Sequence, residues 1–287
     1  MGMKMIDQIT LLEKLDKFAG VCRRFGLSGL PPAGKSFLKP LIGNRLSVRV
    51  DGFDITASVE HHHYLQALRR GEIESLMAHL FASVIRRGMV VLDIGAFVGW
   101  HTLLAARQVG DHGKVYAFEP DPRNYELLNE NLRLNQVDSR VVRLLRAVSD
   151  KTGEQRLFLH GGDQSRRGLI PSGGVDKSTS VTTVVLDEFL NRDLQVDVIK
   201  MDIEGGEVNA LRGMRETLAR AAPTLKLFVV CNPGSLQYAG ESAESLLAEL
   251  RRLDFSIFMI DEVKSGLKPV DSTIETAKSV NLFCSRI

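Results

Sequence analysis

The chain has 287 residues, of which 44% are hydrophobic and 25% are charged, and its formal net charge is +2. This composition excludes a disordered chain, and so small a charge gives no argument for nucleic acid or a membrane surface as the partner. The length allows one α/β domain of about 200 residues together with an extension.

Three cysteines, Cys22, Cys231 and Cys284, are widely separated and lack metal-ligand spacing, which predicts neither a disulfide framework nor a zinc site. No stretch reaches the roughly 18 uninterrupted apolar residues of a membrane span, and acidic residues interrupt the N-terminal segment where a signal peptide would be apolar. We therefore expect a cytoplasmic protein without a transmembrane segment. Three consecutive histidines at 61–63 cannot converge on one metal from a regular element, so we expect a solvated loop there.

Residues 1–63 are interpreted as an N-terminal extension. Apolar residues recur with a helical period over residues 5–25, and residues 26–37 are rich in Gly and Pro, which indicates a helix followed by a linker. Alternating apolar residues on both sides of Asp51-Gly52 predict a β-hairpin.

Residues 64–287 are predicted to form an α/β domain with a doubly wound, seven-stranded, mainly parallel sheet. A helix is expected over 64–87, and strands then alternate with helices that include 122–135, 207–220 and 242–253. The segment 160–180 is long, polar and rich in Gly and Ser, so it is either a functional lid or a solvated insertion. Predicted strands are VVLDI, KVYAFE, VVRLLRAV, VDVIKMD, LKLFVV, FSIFMI and VNLFCS.

The first predicted strand ends in the sequence DIGAFVG, where Asp93 precedes a turn that contains Gly95, Ala96 and Gly99. Small residues let a ligand approach the backbone, and the helix start that follows favours a carboxylate. The acid suits an ammonium group. A site for a cation beside a site for a carboxylate describes the amino-acid end of S-adenosylmethionine, although a βα turn without a ligand has the same pattern.

Acidic and polar residues also end the second and third predicted strands. Glu119 is placed to accept hydrogen bonds from both ribose hydroxyls of a nucleotide, and Pro120 follows it. Asp121 is interpreted as the N-cap of the next helix, with Pro122 in its first turn. At the end of the third strand, Ser149 or a backbone amide is expected to meet the polar edge of adenine.

Charged residues alternate at the end of the fourth predicted strand, in the order Lys200, Asp202 and Glu204. If the strand continues, the three side chains project on one side, towards the ligand cleft. Asp202 is the expected group for holding or deprotonating a substrate hydroxyl, and Lys200 either pairs with it or holds an anionic substrate group. Glu204 is a cleft residue or a helix cap, whereas Glu207 is mainly a cap.

Two further candidates lie near this cleft. His101 follows the first turn and is either an acid or base of the reaction or a structural histidine. Asn232-Pro233-Gly234 follows the fifth strand and either borders the substrate or forms a plain turn.

Four segments together resemble the FkbM-type S-adenosylmethionine-dependent methyltransferases: VLDIGAFVGWHTLLAA, VYAFEPDPRNYELLNENLRLN, TTVVLDEFL and VIKMDIEGGEVNALRG. The resemblance covers about residues 87–235. It implies the class I methyltransferase fold and O-methylation of a hydroxyl on a sugar, a lipid-linked glycan or a natural product. By position it assigns Asp93, Gly95 and Gly99 to the methionine end of the cofactor, Glu119 to the ribose, and Asp202 and Glu204 to the catalytic cleft.

The chain departs from the family at the end of the fifth strand, where members commonly carry a glutamate and this chain has Val230. The departure leaves open the acceptor and the use of a divalent metal. Two other functions stay open on the sequence alone. An RNA methyltransferase is one, because ENLRLN after a strand-end acid also occurs in transfer-RNA-modifying enzymes, and a methyltransferase-like binding protein without catalysis is the other.

Overall fold

A computed structural model of the chain describes residues 45–73, 75–159, 167–169 and 178–286. The chain divides into two compact units, residues 1–73 and 74–287. The expected helix over 5–25, the linker over 26–37 and most of the segment 160–180 lie outside the described residues.

The described part of the first unit is a β-hairpin with a helix. Strand β1 (Arg45–Val50) pairs with β2 (Phe53–Ser58) in antiparallel register, and the turn residues Asp51 and Gly52 have φ values of 49° and 85°. Helix α1 (His62–Arg69) packs on β1, and it belongs to the first unit, which ends at Ile73.

The three histidines do not form the solvated loop that we expected. They lie in a 3-10 turn (Val59–His61) and in the start of α1, where His61 and His62 are buried. The Nδ1 atom of His61 is hydrogen bonded to the Ser58 hydroxyl at 2.9 Å. The side chains of His61 and His62 therefore pack in the interior of the protein.

The second unit begins with helices and strands in alternation, as the sequence predicts. In chain order, the elements up to the fourth strand of the main sheet are α2 (Ser75–Val84), β3 (Val90–Ile94), α3 (Trp100–Val109), β4 (Lys114–Phe118), α4 (Pro122–Leu134), β5 (Val141–Leu144), β6 (Ala147–Val148), β7 (Gly153–Leu159), β8 (Arg167–Gly168), β9 (Ser178–Val184), α5 (Leu186–Phe189) and β10 (Val198–Met201). The remaining elements are α6 (Glu207–Arg212), α7 (Arg215–Arg220), β11 (Lys226–Cys231), α8 (Pro233–Tyr238), α9 (Ala243–Arg252), β12 (Ser256–Asp261), β13 (Gly266–Pro269) and β14 (Val280–Ser285).

The main sheet has the order β13-β12-β14-β11-β10-β3-β4-β5. Strands β5, β4, β3, β10 and β11 are parallel, and β14 is antiparallel to both of its neighbours, β11 and β12. The doubly wound α/β prediction is therefore confirmed. The sheet has eight strands where we expected seven, because the chain turns back after β12 and adds β13 to the edge as a hairpin.

A second, four-stranded sheet has the order β6-β9-β7-β8. We expected Ala147-Val148 to continue the third strand of the main sheet. That strand ends at Leu144 instead, and Ala147-Val148 forms β6 of the second sheet. Strand β9 (STSVTTV) was not predicted, because its polar residues mask the alternation that would indicate a strand.

Two expected helices are each divided in the structure. The segment 64–87 contains α1 and α2, which are separated at Gly71 with φ 66°. The segment 207–220 contains α6 and α7, which are separated at Gly213. A Cβ at Gly213 would lie 2.1 Å from the carbonyl oxygen of Ser149, so a close approach to the loop after β6 requires glycine there.

The core of the second unit lies between the main sheet and its helices. It is built from aliphatic residues of β3, β10 and β11, among them Leu92, Ile199 and Leu227, which are fully buried. Strands that are buried on both faces are apolar almost throughout, and this leaves the residues just beyond their carboxyl ends as the places for polar chemistry.

Candidate functional site

The turn after β3 is held close to β10 by a contact that only glycine permits. Gly95 has φ 82°, and a Cβ at this position would lie 1.9 Å from the backbone carbonyl oxygen of Asp202. The amides of Gly95 and Ala96 both donate to the carbonyl of Phe118, at 3.0 and 2.9 Å. The turn is thereby fixed to β4 on one side and to the end of β10 on the other.

The rest of the turn also adopts left-handed backbone conformations. Phe97 has φ 52° and Gly99 has φ 98°, and a Cβ at Gly99 would lie 2.7 Å from Cδ1 of Leu128 in α4. Gly99 is the N-cap residue of α3, so the turn leads directly into a helix start, where backbone N–H groups favour an anion. Packing inside the protein therefore requires the glycines at 95 and 99, and the amides of Gly95, Ala96 and Gly99 all donate to carbonyls of the chain. The expected role of these three residues in ligand binding stays a prediction.

Glu119, directly after β4, is bonded to the same turn. Its Oε2 accepts a hydrogen bond from the amide of Phe97 at 2.8 Å, and its Oε1 accepts one from the amide of Asp121 at 2.9 Å. The residue is 5% exposed. Burial raises the pKa of Glu119 to about 7, although the two amides act in the opposite direction.

The neighbours of Glu119 are structural. Asp121 caps α4, because its carboxylate accepts from the amides of Arg123 and Asn124 at 2.9 and 3.1 Å, with Pro122 in the first turn; the predicted cap is confirmed. Pro120 lies between the two acids and is partly exposed.

Asp93 and Lys200 form a buried pair between β3 and β10. They are register partners on the two parallel strands, they are 0% and 3% exposed, and Nζ of Lys200 lies 3.4 Å from Oδ1 of Asp93. The Thr102 hydroxyl donates to Oδ2 of Asp93 at 2.5 Å. The cation beside Asp93 is thus Lys200 of the same chain, whereas we expected the ammonium group of a ligand.

Lys200 also donates to the carbonyl of Gly95, at an Nζ to O distance of 2.7 Å. We expected Lys200, Asp202 and Glu204 to project together from a continuing strand. Strand β10 instead ends at Met201, and Glu204 has φ 51°, so the alternation stops before Asp202. Lys200 therefore faces the buried turn and not the cleft.

Asp202 and Glu204 line a pocket of about 170 Å³ just beyond the ends of β10 and β11. Asp202 is half-buried, and its amide continues the pairing of β10 by donating to the carbonyl of Ile94 at 3.0 Å. Glu204 accepts hydrogen bonds at Oε2 from Nδ2 of Asn232 at 3.2 Å and from the hydroxyl of Ser235 at 2.9 Å. The full lining is Asp202, Glu204, Glu207, Val230, Asn232, Lys278 and Ser279.

Glu207 is buried beside this pocket and does not cap the helix as we expected, because α6 has no side-chain cap and Glu207 is its first residue. Its carboxylate accepts from the amides of Ile203 and Gly205 at 3.1 and 2.9 Å. Burial raises the pKa of Glu207 to about 8, and the nearby charges of Asp202 and Glu204 act in the same direction. A protonated Glu207 relieves the repulsion among three acids that share one pocket.

Lys278 and Ser279 were missed by the sequence analysis. They directly precede β14, whose first residue, Val280, is the register partner of Cys231 at the carboxyl end of β11. An antiparallel last strand begins where the parallel strands end, so its leading residues reach the cleft. Recognising VNLFCS as antiparallel would have indicated them.

His101 does not reach the cleft as an acid or base. It is 8% exposed, and its ring packs edge-on against Phe81 with centroids 5.5 Å apart. Burial, together with the nearby charge of Lys200, lowers the pKa of His101 to about 3. A ring that stays neutral at physiological pH is a packing group, which is the structural alternative for this residue.

Ser149 is engaged by the second sheet. Its amide donates to the carbonyl of Val184 at 3.0 Å, and its hydroxyl donates to Oδ1 of Asp150 at 3.3 Å. Both groups that we expected to meet adenine therefore have partners within the protein. The reason is that β5 ends at Leu144. The chain then enters the second sheet through β6, so Ser149 lies outside the main sheet.

The described ranges contain no group of three or more His, Cys, Asp or Glu side chains arranged to hold a metal ion. Among the helices of those ranges, none has both the length and the apolar character of a membrane span.

The order and directions of the strands in the main sheet are those of the Rossmann-like fold of class I methyltransferases. Within this class, the chain belongs to the FkbM methyltransferase family, because the Methyltransferase FkbM domain matches residues 93–257. The expected family is therefore confirmed.

Two relatives of assigned function are methyltransferases. The hexuronic acid methyltransferase AglP of Haloferax volcanii is 23% identical over 184 residues, which cover 62% of this chain and 71% of AglP. The methyltransferase sdnD of Sordaria araneosa is 27% identical over 157 residues, which cover 44% of this chain and 60% of sdnD.

Solved structures with a similar fold include a SAM-dependent O-methyltransferase from Thermotoga maritima, with a TM-score of 0.44, 16% identity, and coverage of 84% of this chain and 77% of that one. Another is TYW2 of M. jannaschii in complex with AdoMet, with a TM-score of 0.44, 16% identity, and coverage of 85% and 87%.

Proposed function

We propose that this methyltransferase uses S-adenosylmethionine to methylate a hydroxyl group of a sugar, glycan, lipid or natural product. The observation that carries the proposal is the contact between Gly95 and the backbone of Asp202. It joins a turn suited to the cofactor with the strand end that supplies a half-buried carboxylate to a pocket.

The cofactor is supported by the fit of the residues around this turn. Glu119 lies within hydrogen-bond distance of Phe97 in the turn, so a nucleotide that lies over the turn would bring its ribose hydroxyls to the carboxylate. Gly95, Ala96 and Gly99 form the turn at the carboxyl end of β3, the edge at which parallel sheets of this kind bind ligands. Asp93 would contribute by fixing the turn, since Lys200 and Thr102 occupy its carboxylate.

The acceptor is supported by the chemistry of the pocket. Asp202 and Glu204 are hydrogen-bond acceptors for hydroxyl groups, and Asn232 and Ser235 hold the carboxylate of Glu204 in place. Val230 adds an apolar wall, which suits the C–H face of a sugar or the aliphatic part of a lipid. The relatives support the same class, because AglP is a hexuronic acid methyltransferase.

The reaction proposed is a direct displacement. Bound S-adenosylmethionine supplies a methyl group that is already activated as a sulfonium. Asp202 would accept a hydrogen bond from the acceptor hydroxyl and take its proton as the new O–CH₃ bond forms and the S–CH₃ bond breaks. Glu119 and the turn would hold the other reactant in line, so the residues of the chain act mainly by alignment and by exclusion of water.

The experiment that tests this function is methyl transfer from isotopically labelled S-adenosylmethionine to a lysate fraction or to a panel of hydroxylated acceptors, followed by mass spectrometry. We expect the label on an oxygen atom, and we expect Asp202→Asn to reduce it. Label on an RNA base would favour the RNA alternative. Binding of S-adenosylhomocysteine without turnover on any acceptor would favour a binding protein.

A further inference from the structure

The buried side chain of Lys200 has a role that the displacement reaction alone does not explain. Lys200 is 3% exposed and lies outside the lining of the acceptor pocket. A charged side chain is costly to bury unless it has partners of good geometry. Its position therefore depends on the groups that it contacts inside the unit.

Those groups belong to the cofactor turn and to the strand before it. The ammonium group lies 2.7 Å from the carbonyl oxygen of Gly95 and 3.4 Å from the carboxylate of Asp93. The shorter contact is a charge-assisted hydrogen bond to the backbone of the turn. Lys200 thus connects β10 to the turn itself as well as to β3.

The turn needs such a connection because several of its residues adopt uncommon conformations. Gly95, Phe97 and Gly99 have φ values of 82°, 52° and 98°. Conformations of this kind persist when the surrounding structure fixes them. The Asp202 carbonyl also lies against Gly95, so residues 200–202, at and just beyond the end of β10, carry both the amino group that bonds to the turn and a carboxylate of the pocket.

We propose that Lys200 is a positioning residue of the methyl-transfer site, whose ammonium holds the Gly95 turn against β10 and so sets the affinity for the cofactor without contacting either reactant. The claim that Lys200 sets the affinity for the cofactor rests on the proposed function. The claim that Lys200 holds the Gly95 turn against β10 is independent of it.

The test compares two variants that both lack the charge of Asp93. D93N keeps the Lys200 nitrogen, which donates to Gly95 as an ammonium or as a neutral amine, whereas D93N/K200M removes the donor without leaving an unpaired buried carboxylate. Hydrogen exchange is measured by mass spectrometry on the peptide that contains residues 94–99, and on β11 as an internal control. The turn amides of this peptide donate to Phe118, Glu119 and Ala96 in the native structure.

We expect the turn amides to exchange at least about tenfold faster in D93N/K200M than in D93N, while the amides of β11 exchange at the same rate in both. Equal exchange of the turn in the two variants would overturn the proposal, and so would an equal acceleration in the turn and in β11, which indicates only a loss of global stability. If D93N/K200M does not fold, D93N/K200Q replaces it. Its amide is one bond shorter than the lysine chain and falls short of the Gly95 carbonyl.

The second readout separates positioning from contact with the acceptor. We expect the Kd for S-adenosylhomocysteine to be about tenfold higher in D93N/K200M than in D93N, with the KM for the acceptor unchanged between them. An unchanged Kd with a raised acceptor KM would place Lys200 on the acceptor and reject the proposal. If the wild-type chain binds no S-adenosylhomocysteine, the proposed function fails, and the exchange result alone decides the role of Lys200.

Discussion

Oε2 of Glu119 lies 2.8 Å from the amide nitrogen of Phe97, so the acid at the end of β4 is hydrogen bonded to the turn at the end of β3. The two strand ends that we assign to the cofactor are therefore one connected unit. The same turn contacts Asp202 through Gly95, which extends the connection to the pocket that Asp202 and Glu204 line.

The affinity for S-adenosylhomocysteine should depend on pH through Glu119. Burial raises the pKa of this carboxyl to about 7, and ribose hydroxyls donate to its charged form. Binding therefore favours the deprotonated protein, and the affinity should fall as the pH drops below about 7, up to tenfold per pH unit. Calorimetric titrations between about pH 5.5 and 8 measure this dependence.

Glu119→Gln is the matched variant for the pH series. It cannot titrate at this position, so its affinity should be lower than that of the wild type at pH 8 and nearly flat across the range. The titration of the ligand itself is common to both proteins. A pH dependence of the same size in Glu119→Gln would show that another group is responsible.

Gly95→Ala should destabilise the fold more than a glycine substitution at an equally left-handed site. Gly88 has φ 85° and no atom within 4 Å of a Cβ, whereas at Gly95, with φ 82°, a Cβ would lie 1.9 Å from the Asp202 carbonyl. Gly88→Ala should cost about 1 to 2 kcal/mol for backbone strain alone. Gly95→Ala should exceed it by 1 kcal/mol or more, roughly the scale for overpacking, as measured by urea denaturation.

Equal free energies of unfolding for the two variants would contradict the close packing of the turn on β10.

Asp202→Asn should slow methyl transfer and leave the affinity for S-adenosylhomocysteine nearly unchanged. The loss in kcat should be about 10²-fold or more if the carboxylate takes the proton of the acceptor. Asp111→Asn is the control, because Asp111 is a carboxylate with 81% of its side chain exposed and an ion pair to Arg140 on the surface. If Asp202→Asn has the same kcat as Asp111→Asn, Asp202 does not take part in the reaction.

Asp121→Ala should lower the free energy of unfolding by about 1 kcal/mol, because α4 loses the side chain that caps it. Asp121→Ser keeps an oxygen acceptor for the amides of Arg123 and Asn124 and should recover most of this loss. Thermal or urea denaturation measures both. No difference between Ala and Ser would mean that the cap does not stabilise the helix.

The sequence predicts the features that depend on local pattern. The alternating strands and helices and the cap at Asp121 both follow from residue type and spacing within a few positions. The glycines of the first turn were also identified, since a left-handed or closely packed backbone position favours glycine wherever it occurs.

The remaining features depend on contacts between distant segments. Lys200 was expected in the cleft, but its register partner on β3 is Asp93, and no local pattern indicates which strands are neighbours. Ser149 was misplaced for a similar reason, because β6 pairs with β9, whose sequence lies some way along the chain. The burial of His61 and His62 likewise depends on how the hairpin and α1 pack together.

The central claim is that the turn after β3 and the carboxylate of Glu119 bind the adenosyl cofactor together. Isothermal titration of the folded wild-type chain and of Glu119→Ala with S-adenosylhomocysteine at pH 8 tests this claim most directly. We expect saturable one-to-one binding by the wild type and a loss of roughly 1.5 to 3 kcal/mol in the variant, the range for hydrogen bonds to a charged group. Absence of binding by the wild type, or equal affinity in the two proteins, would contradict it.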